Sequence, residues 1–216
     1  MRCRRSHRIK GGFMNRIAAM LRLAAAVTLG LASAHALAVS AGQAAPNFSI
    51  ADTQGKTVSL ADYRGKYVVL EWTNPACPFV QRHYQSMNMP GLQQDWSARG
   101  VVWVSIDSTN RSSREFKTAA QLDTWMRMHG AAQTEVLVDA ESATAKLYGA
   151  KTTPHMFVID PEGRIIYAGA IDDKPWASPG ETSKANNYVR AALVAATSGT
   201  AVDPANTTPY GCSIKY

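Results

Sequence analysis

The stretch EWTNPACPFVQRHY, residues 71–84, joins an apolar run to a helical segment and places one cysteine, Cys77, at the junction. The run YVVLEWT (67–73) has the β-branched and aromatic residues of a buried strand. Pro78 suits the first position of a helix, because the N–H that proline lacks has no partner there. The sequence therefore predicts that Cys77 lies between the end of a strand and the start of a helix.

This position favours a reactive cysteine. The free N–H groups and positive dipole end of the helix stabilise a thiolate, which is the attacking species in disulfide exchange. We expect the sulfur to be open to solvent. The alternative is a small buried cysteine that only caps the helix.

The same alternation of strands and helices continues along the chain. Five further strands are predicted at residues 47–52, 101–107, 135–139, 155–160 and 164–171. Helices are predicted at residues 78–86, 91–99, 119–129, 142–148 and 184–197. The segment DPEG (160–163) predicts a hairpin turn, with Pro second and Gly fourth. This order predicts an α/β fold, with a β-α-β first half followed by a hairpin and a last helix.

Residues 1–36 have the pattern of a signal peptide: basic residues, an apolar run broken by Arg22, and small residues around an A-H-A cleavage site at 34–36. The run is short for a membrane span, so a retained anchor is the lesser alternative. We predict an exported protein, periplasmic in a Gram-negative bacterium, that meets a membrane only through this leader.

The positive charge belongs to the leader. Residues 1–36 hold seven of the 23 Lys and Arg residues and no acid, which leaves 16 basic against 16 acidic side chains. A mature chain without basic excess is not expected to bind nucleic acid. Residues 37–198 are long enough for one domain, and residues 199–216 form a tail that carries Cys212. Cys77 and Cys212 are then the two cysteines of the exported chain, which indicates a disulfide or a redox pair.

Three features together resemble the thioredoxin superfamily, in its redoxin (AhpC/TSA) branch. They are W-x-x-x-x-C-P-x-V at 72–80 with an acid at Glu71, K-T-T-P at 151–154 before a strand, and the separation of 77 residues between Cys77 and Pro154. The resemblance implies a thioredoxin-like fold, with a central mixed β-sheet flanked by helices. It also implies that Cys77 attacks the substrate, that a cis Pro154 presents the substrate and that Glu71 relays protons. The residues expected to bind substrate or shape the pocket are Thr153, Trp72, Asn74 and Pro78.

Two departures from the family pattern matter. The second cysteine position of the helix motif holds Val80, and the peroxidase motif P-x-x-x-T-x-x-C finds Leu70 and Asn74 in place of Pro and Thr. Disulfide exchange is therefore favoured over the usual peroxiredoxin reaction. The chain most resembles the peroxiredoxin-like group with one cysteine in this motif and a G-C-S-I-K-[WY] tail.

Cys212, in the tail GCSIKY, is the candidate for the missing partner. About 15 residues separate it from the last predicted helix, and at about 3.3 Å each they span roughly 50 Å. A flexible tail could bring Cys212 to Cys77 of the same chain or of a neighbouring chain. An ordered arm with an unpaired thiol is the third possibility.

The sequence thus predicts a thiol-disulfide oxidoreductase or antioxidant protein without cofactor or metal. Its substrate would be a thiol or disulfide protein, or a hydroperoxide; the electron donor and the oligomeric state stay open. Two alternatives remain. One is a non-catalytic binding domain, and the other is a Cu(I) carrier using soft ligands, for which the candidates are Met87, Met89, Met126, Met128 and His129.

Overall fold

The computed structural model describes residue 1 and residues 39–216, so the predicted signal peptide lies outside the described residues except for Met1. The strands of the described part are β1 (Ser49–Ala51), β2 (Thr57–Ser59), β3 (Val68–Thr73), β4 (Val102–Asp107), β5 (Glu135–Val138), β6 (Thr152–Thr153), β7 (His155–Ile159), β8 (Ile165–Gly169) and β9 (Cys212–Ser213). The α-helices are α1 (Pro78–Gln85), α2 (Asn88–Ser97), α3 (Ala119–Met128), α4 (Ala143–Tyr148) and α5 (Tyr188–Thr197). Short 3-10 helices cover Leu60–Tyr63 and Pro179–Lys184.

A five-stranded mixed sheet organises the chain, in the order β5-β4-β3-β7-β8. Strands β3, β4 and β5 are parallel, and β7 is antiparallel to both β3 and β8. Parallel neighbours need crossover connections, which the helices supply. The result is the predicted thioredoxin-like α/β fold. Among residues 39–216, none of the helices has the length and apolar character needed to cross a membrane.

The central strand β3 is buried along its whole length. Leu70 and Trp72 point into one core, together with α4 and the hairpin of β1 and β2. Val69 points into the other core, where α1, α2, α3 and α5 pack. Burial on both faces explains why β3 is a nearly continuous apolar run rather than an alternating one.

Two predicted helix starts were wrong. Helix α2 begins at Asn88 instead of residue 91, because Pro90 is tolerated in the first turn, where backbone N–H groups have no helical partner. Helix α5 begins at Tyr188 instead of residue 184, where Asn187 caps it by accepting from the N–H of Arg190 at 2.8 Å. The predicted turn at 160–163 is confirmed by the bond from Gly163 N–H to the Asp160 carbonyl, 2.9 Å.

Residues 199–216, here called the C-terminal arm, run back over the domain. The N–H of Ala168 in β8 donates to the carbonyl of Ala205, and the N–H of Thr207 donates back to Ala168, at 3.0 and 3.1 Å. The arm therefore covers the free edge of β8, which would otherwise present unpaired backbone groups. It then continues to β9, which lies beside Cys77 at the N-terminus of α1.

We expect Leu70→Ala to lower the free energy of unfolding by about 3 kcal/mol, because it leaves a cavity in the centre of the sheet. The control is Leu147→Ala in α4, where the side chain is 43% exposed and the cost should stay below about 1 kcal/mol. Urea unfolding of both variants measures the difference. Equal costs would contradict the packing described for β3.

Candidate active site

Cys77 lies at the end of a tight turn that leads from β3 into α1. The side-chain oxygen of Asn74 accepts from the N–H of Ala76 at 2.8 Å, and the N–H of Cys77 donates to the carbonyl of Asn74 at 2.9 Å. Cys77 is the N-cap residue, and Pro78 is the first residue of the helix. The predicted position of Cys77 between strand and helix is confirmed.

The expectation that Cys77 is open to solvent was wrong. The residue is only 1% exposed, because the C-terminal arm lies over it. The Sγ atoms of Cys77 and Cys212 are 2.6 Å apart and are not joined by a disulfide bond. The two sulfur atoms therefore lie where a disulfide can form between them.

Thr153 connects the two cysteines. Its carbonyl accepts a hydrogen bond from the Cys77 thiol at 3.1 Å, and in the antiparallel pairing of β6 with β9 it stands opposite Cys212. The peptide bond between Thr153 and Pro154 is cis, as the resemblance implied. The structure thus brings together Cys77, Cys212, Thr153 and Pro154.

The environment of Cys212 keeps its thiol protonated. Burial, followed by the hydrogen bond and the charge of Cys77, raises the pKa of Cys212 to about 12. Lys215 has a smaller, opposing effect on this pKa. The docked pair therefore favours a neutral Cys212 beside the sulfur that lies at the helix N-terminus.

The arm is held on both sides of Cys212, so it is not the flexible tail that the sequence suggested. Before the cysteine, Gly211 has φ = 134°, and a Cβ there would collide with the carbonyl of Thr153. After the cysteine, the arm makes three bonds to the domain: Ile214 N–H to Lys151 O at 3.2 Å, Asn110 N–H to Lys215 O at 2.8 Å, and Tyr216 O–H to Ala150 O. Two-residue strands such as β9 have too little pattern to be predicted from sequence.

Asn74 also links the Cys77 turn to the arm. Its Nδ2 donates to Glu115 at 2.8 Å, and Glu115 forms an ion pair with Lys215 at 3.7 Å. Asn74 therefore contacts both the Cys77 turn and the residue that pairs with the arm. Trp72 is buried in the opposite core, where its Nε1 donates to Ser108 at 3.1 Å.

Glu71 is fully buried beneath α1 and α2. Four side chains donate to its carboxyl group at 2.9–3.1 Å, namely Tyr84, Gln93, Trp103 and Ser105. Burial raises the pKa of Glu71, and these hydrogen bonds lower it by less. Cys77 is not among its partners, so the proposed proton relay would need a connection beyond these four contacts.

Arg82, His83 and Tyr210 lie beside the site and were not predicted as part of it. Arg82 and His83 are both buried, and both lie 3.1 Å from the hydroxyl of Tyr210. Charged and polar residues on the second turn of a short helix usually indicate a solvated face. Arg82 and His83 stand out only in the folded protein, because the folded arm places Tyr210, two residues before Cys212, next to them.

The structure gives the copper hypothesis little support. Met89 and Met126 are buried in the core under α2 and α3, where methionine fills space. Met87 and Met128 are exposed. Within residues 39–216, His, Cys, Asp and Glu side chains form no group of three or more that could hold a metal ion.

Substitution of Gly211 should release the arm. Alanine has to adopt φ = 134° and to clash with Thr153, a strain of about 1–3 kcal/mol that corresponds to an undocked population about 5 to 150 times larger. We expect Gly211→Ala to raise the rate of iodoacetamide labelling of Cys77, measured by peptide mass. Gly91→Ala in α2 is the control, since a Cβ there meets no atom within 4 Å. Equal labelling rates in the two variants would contradict the docked arm.

Glu71 should make stability depend on pH. Because its folded pKa is raised, the stability it contributes is present below its unfolded pKa of about 4.3 and is lost as pH rises through the folded pKa. Glu71→Gln cannot ionise, so its stability deficit relative to the wild type should shrink between about pH 4.5 and about pH 8. Urea unfolding at both pH values tests this, with the exposed Glu162→Gln as a control whose deficit stays constant. A deficit for Glu71→Gln that grows with pH would refute the raised pKa.

Comparisons with known proteins agree with this geometry. A thiol-disulfide oxidoreductase ResA of Bacillus thuringiensis subsp. konkukian is 27% identical over 125 residues, which is 58% of this chain and 66% of that protein. This chain thus spans slightly less than two thirds of the length of that relative. A hypothetical protein of Sinorhizobium meliloti 1021 matches 83% of this chain and 96% of its own, with a TM-score of 0.73 and 27% identity.

An uncharacterized conserved protein of Geobacillus kaustophilus is similar over 82% of this chain and 92% of its own, with a TM-score of 0.71 and 26% identity. The model of the AhpC/TSA family matches residues 41–168, more than half of the chain. That segment contains the β3 to α1 junction, Cys77 and the cis-Pro154 loop, but not the arm with Cys212. The chain therefore belongs to the AhpC/TSA family.

Proposed function

We propose that this protein is an exported thiol-disulfide oxidoreductase in which Cys77 attacks and Cys212 resolves. The contact between the two sulfur atoms, 2.6 Å, is the observation that carries the proposal. The printed name of the ResA relatives, which describes thiol-disulfide oxidoreductases, supports the same reaction class. The predicted leader, residues 1–36, supports export to a compartment where disulfides persist.

The reaction balances with these two sulfurs alone. The thiolate of Cys77 attacks one sulfur of a substrate disulfide, the second substrate sulfur leaves as a thiolate, and a mixed disulfide forms. Cys212 then attacks the Cys77 sulfur and passes its proton to the departing substrate sulfur, which leaves as a thiol. The substrate disulfide has been reduced, and Cys77 and Cys212 have been oxidised to a disulfide. A thiol reductant completes the cycle, and the reverse sequence oxidises a substrate dithiol.

A protein substrate has to displace the arm. Cys77 is buried under β9, and the backbone edge beside Pro154 is already paired with Cys212 and Ser213. An extended substrate segment would use this same edge, as added strands do elsewhere. We therefore assign Thr153 and Pro154 to substrate presentation, with Asn74 and Pro78 forming the wall of the site.

Hydroperoxides are the second substrate class that the pair admits. The thiolate of Cys77 would attack the terminal peroxide oxygen, breaking the O–O bond and releasing an alcohol, to become a sulfenic acid. Cys212 would condense with it to give a disulfide and water. The residues at the usual peroxidase motif positions argue against this: Leu70 is a core side chain, and Asn74 forms the Cys77 turn. Disulfide exchange is the reaction we favour.

We expect Cys77→Ser to lower the rate of dithiothreitol-dependent insulin reduction by about 1,000-fold or more, the scale of losing a nucleophile. Cys212→Ser should instead stop after the first step, so that intact-mass measurement finds substrate joined to Cys77. Non-reducing peptide mapping of the wild type should find the linkage of Cys77 to Cys212.

The same two variants distinguish the alternatives. If peroxide consumption, but not insulin reduction, depends on Cys77, the substrate class changes to hydroperoxides. If Cys77→Ser leaves both reactions at the wild-type rate, the protein is a binding domain and the proposal fails.

A further inference from the structure

A buried polar cluster surrounds the hydroxyl group of Tyr210, two residues before Cys212. Arg82 Nη2 and His83 Nε2 both lie 3.1 Å from this oxygen, and the hydroxyl donates to Asp172 Oδ1 at 2.5 Å. Arg82 and His83 belong to α1, the helix that Cys77 caps. The cluster therefore connects the arm to the same helix that positions Cys77.

The imidazole of His83 has polar neighbours on both of its nitrogen atoms. Asn187 donates to Asn88 Oδ1 at 3.2 Å, and the amide nitrogen of Asn88 lies 2.9 Å from His83 Nδ1. His83 Nε2 lies 3.1 Å from the hydroxyl of Tyr210 and also 3.1 Å from Arg82 Nη2. The ring is neutral, because burial and then the charge of Arg82 lower the pKa of His83 to about 3. The hydroxyl of Tyr210 accepts from Arg82 and donates to Asp172, so it is bonded on both sides.

The cluster is anchored rigidly on its far side. Arg82 Nη1 donates to the carbonyls of Pro175 and Ala177 at 2.5 and 3.0 Å. Lys174 N–H donates to Asp172 Oδ1 at 3.0 Å. The ring of Tyr210 also lies 5.9 Å from that of Phe79 and 5.7 Å from the Arg82 guanidinium. The contacts of Arg82 Nη1 and of Lys174 do not involve the arm, whereas those of Tyr210 do.

We propose that Tyr210 is a positioning residue whose hydroxyl holds the arm so that Cys212 meets Cys77. This inference rests on the proposed function, because it assigns the resolving cysteine its means of delivery. The chain Tyr210-Gly211-Cys212 leaves one residue between the anchor and the sulfur. A merely tethered tail supplies a thiol at a millimolar effective concentration, whereas an anchored one is held at bonding distance.

The test measures how strongly the two thiols form a disulfide. Purified full-length protein with Cys3→Ser, whose two cysteines are Cys77 and Cys212, is equilibrated with reduced and oxidised glutathione. Cys77, Cys212 and one glutathione disulfide then give one protein disulfide and two glutathione thiols. Tyr210→Phe keeps the ring contacts and removes the hydroxyl. We expect it to lower this equilibrium constant by about tenfold, the scale of losing hydrogen bonds to charged groups.

Tyr63→Phe is the matched control. Tyr63 also donates its hydroxyl to a carboxylate, Glu135 at 3.2 Å, but it packs against the opposite core. The control should leave the glutathione equilibrium unchanged. A constant that is the same for the wild type and Tyr210→Phe would overturn the inference.

A second readout separates positioning from general destabilisation. In a Cys212→Ser background, Tyr210→Phe should raise the rate at which glutathione disulfide modifies Cys77, because the arm that buries this sulfur is held less firmly. Tyr210→Phe should thus raise the modification rate of Cys77 while it lowers the equilibrium constant for the intramolecular disulfide. Tyr63→Phe should change neither quantity. An unchanged modification rate would also overturn the inference.

The outcomes for the two proposals are distinguishable. A wild-type protein that forms no disulfide at any glutathione ratio contradicts the proposed function, while the modification rate of Cys77 still tests the anchor. If Tyr210→Phe does not fold, Asp172→Asn replaces it, since it removes the charged acceptor at similar shape. That variant should shift both readouts in the same directions, and the absence of either shift counts against Tyr210.

Discussion

The pairing of β9 with β6 is the contact on which the rest of the site depends. Through it, Thr153 stands opposite Cys212 and accepts from Cys77, so one residue aligns two sulfurs that are 135 positions apart in sequence. The pairing covers only two residues of each strand. Such a short ladder cannot hold an arm by itself, and its strength comes from contacts on both sides, at Tyr210 and at Ile214 to Tyr216.

Burial disfavours the charged form of the polar groups around the site. It raises the pKa of Glu71 and lowers that of His83. Burial also raises the pKa of Asp172, and the hydrogen bond from Tyr210 is the first of the smaller effects that oppose it. The docked arm therefore offsets part of the cost of burying Asp172, because a buried carboxylate without that bond would have fewer partners.

The sequence was sufficient for the sheet, for the position of Cys77 between a strand and a helix, and for the loop at Pro154. The runs that became β3, β4, β5, β7 and β8 are apolar and bounded by turn residues, and the motifs around Cys77 and Pro154 are local signals. The position of the arm could not be predicted from the sequence, and the reason is physical. Residues 199–216 have no apolar periodicity, and their affinity for the domain arises from contacts with residues far away in sequence, such as Arg82, Asn110 and Thr153. The arm buries Cys77, so the sequence did not predict the burial of Cys77 either.

The second cysteine lies in the arm instead of the helix, so the redox state of the cysteine pair affects the arm and the sheet edge that it covers. In a helix motif with two cysteines, oxidation joins two residues of the first helical turn. The backbone edge beside the cis-proline takes no part in that bond. Here the position of the second cysteine is filled by Val80, a core side chain, and the partner sulfur is carried by the strand that occupies this edge. In the proposed cycle, oxidation therefore ties the arm covalently over the edge. Reduction leaves the arm held by hydrogen bonds alone, which a substrate strand making equivalent bonds can replace. Oxidation thus fixes the closed edge covalently, whereas reduction leaves a docked arm that a substrate strand can displace.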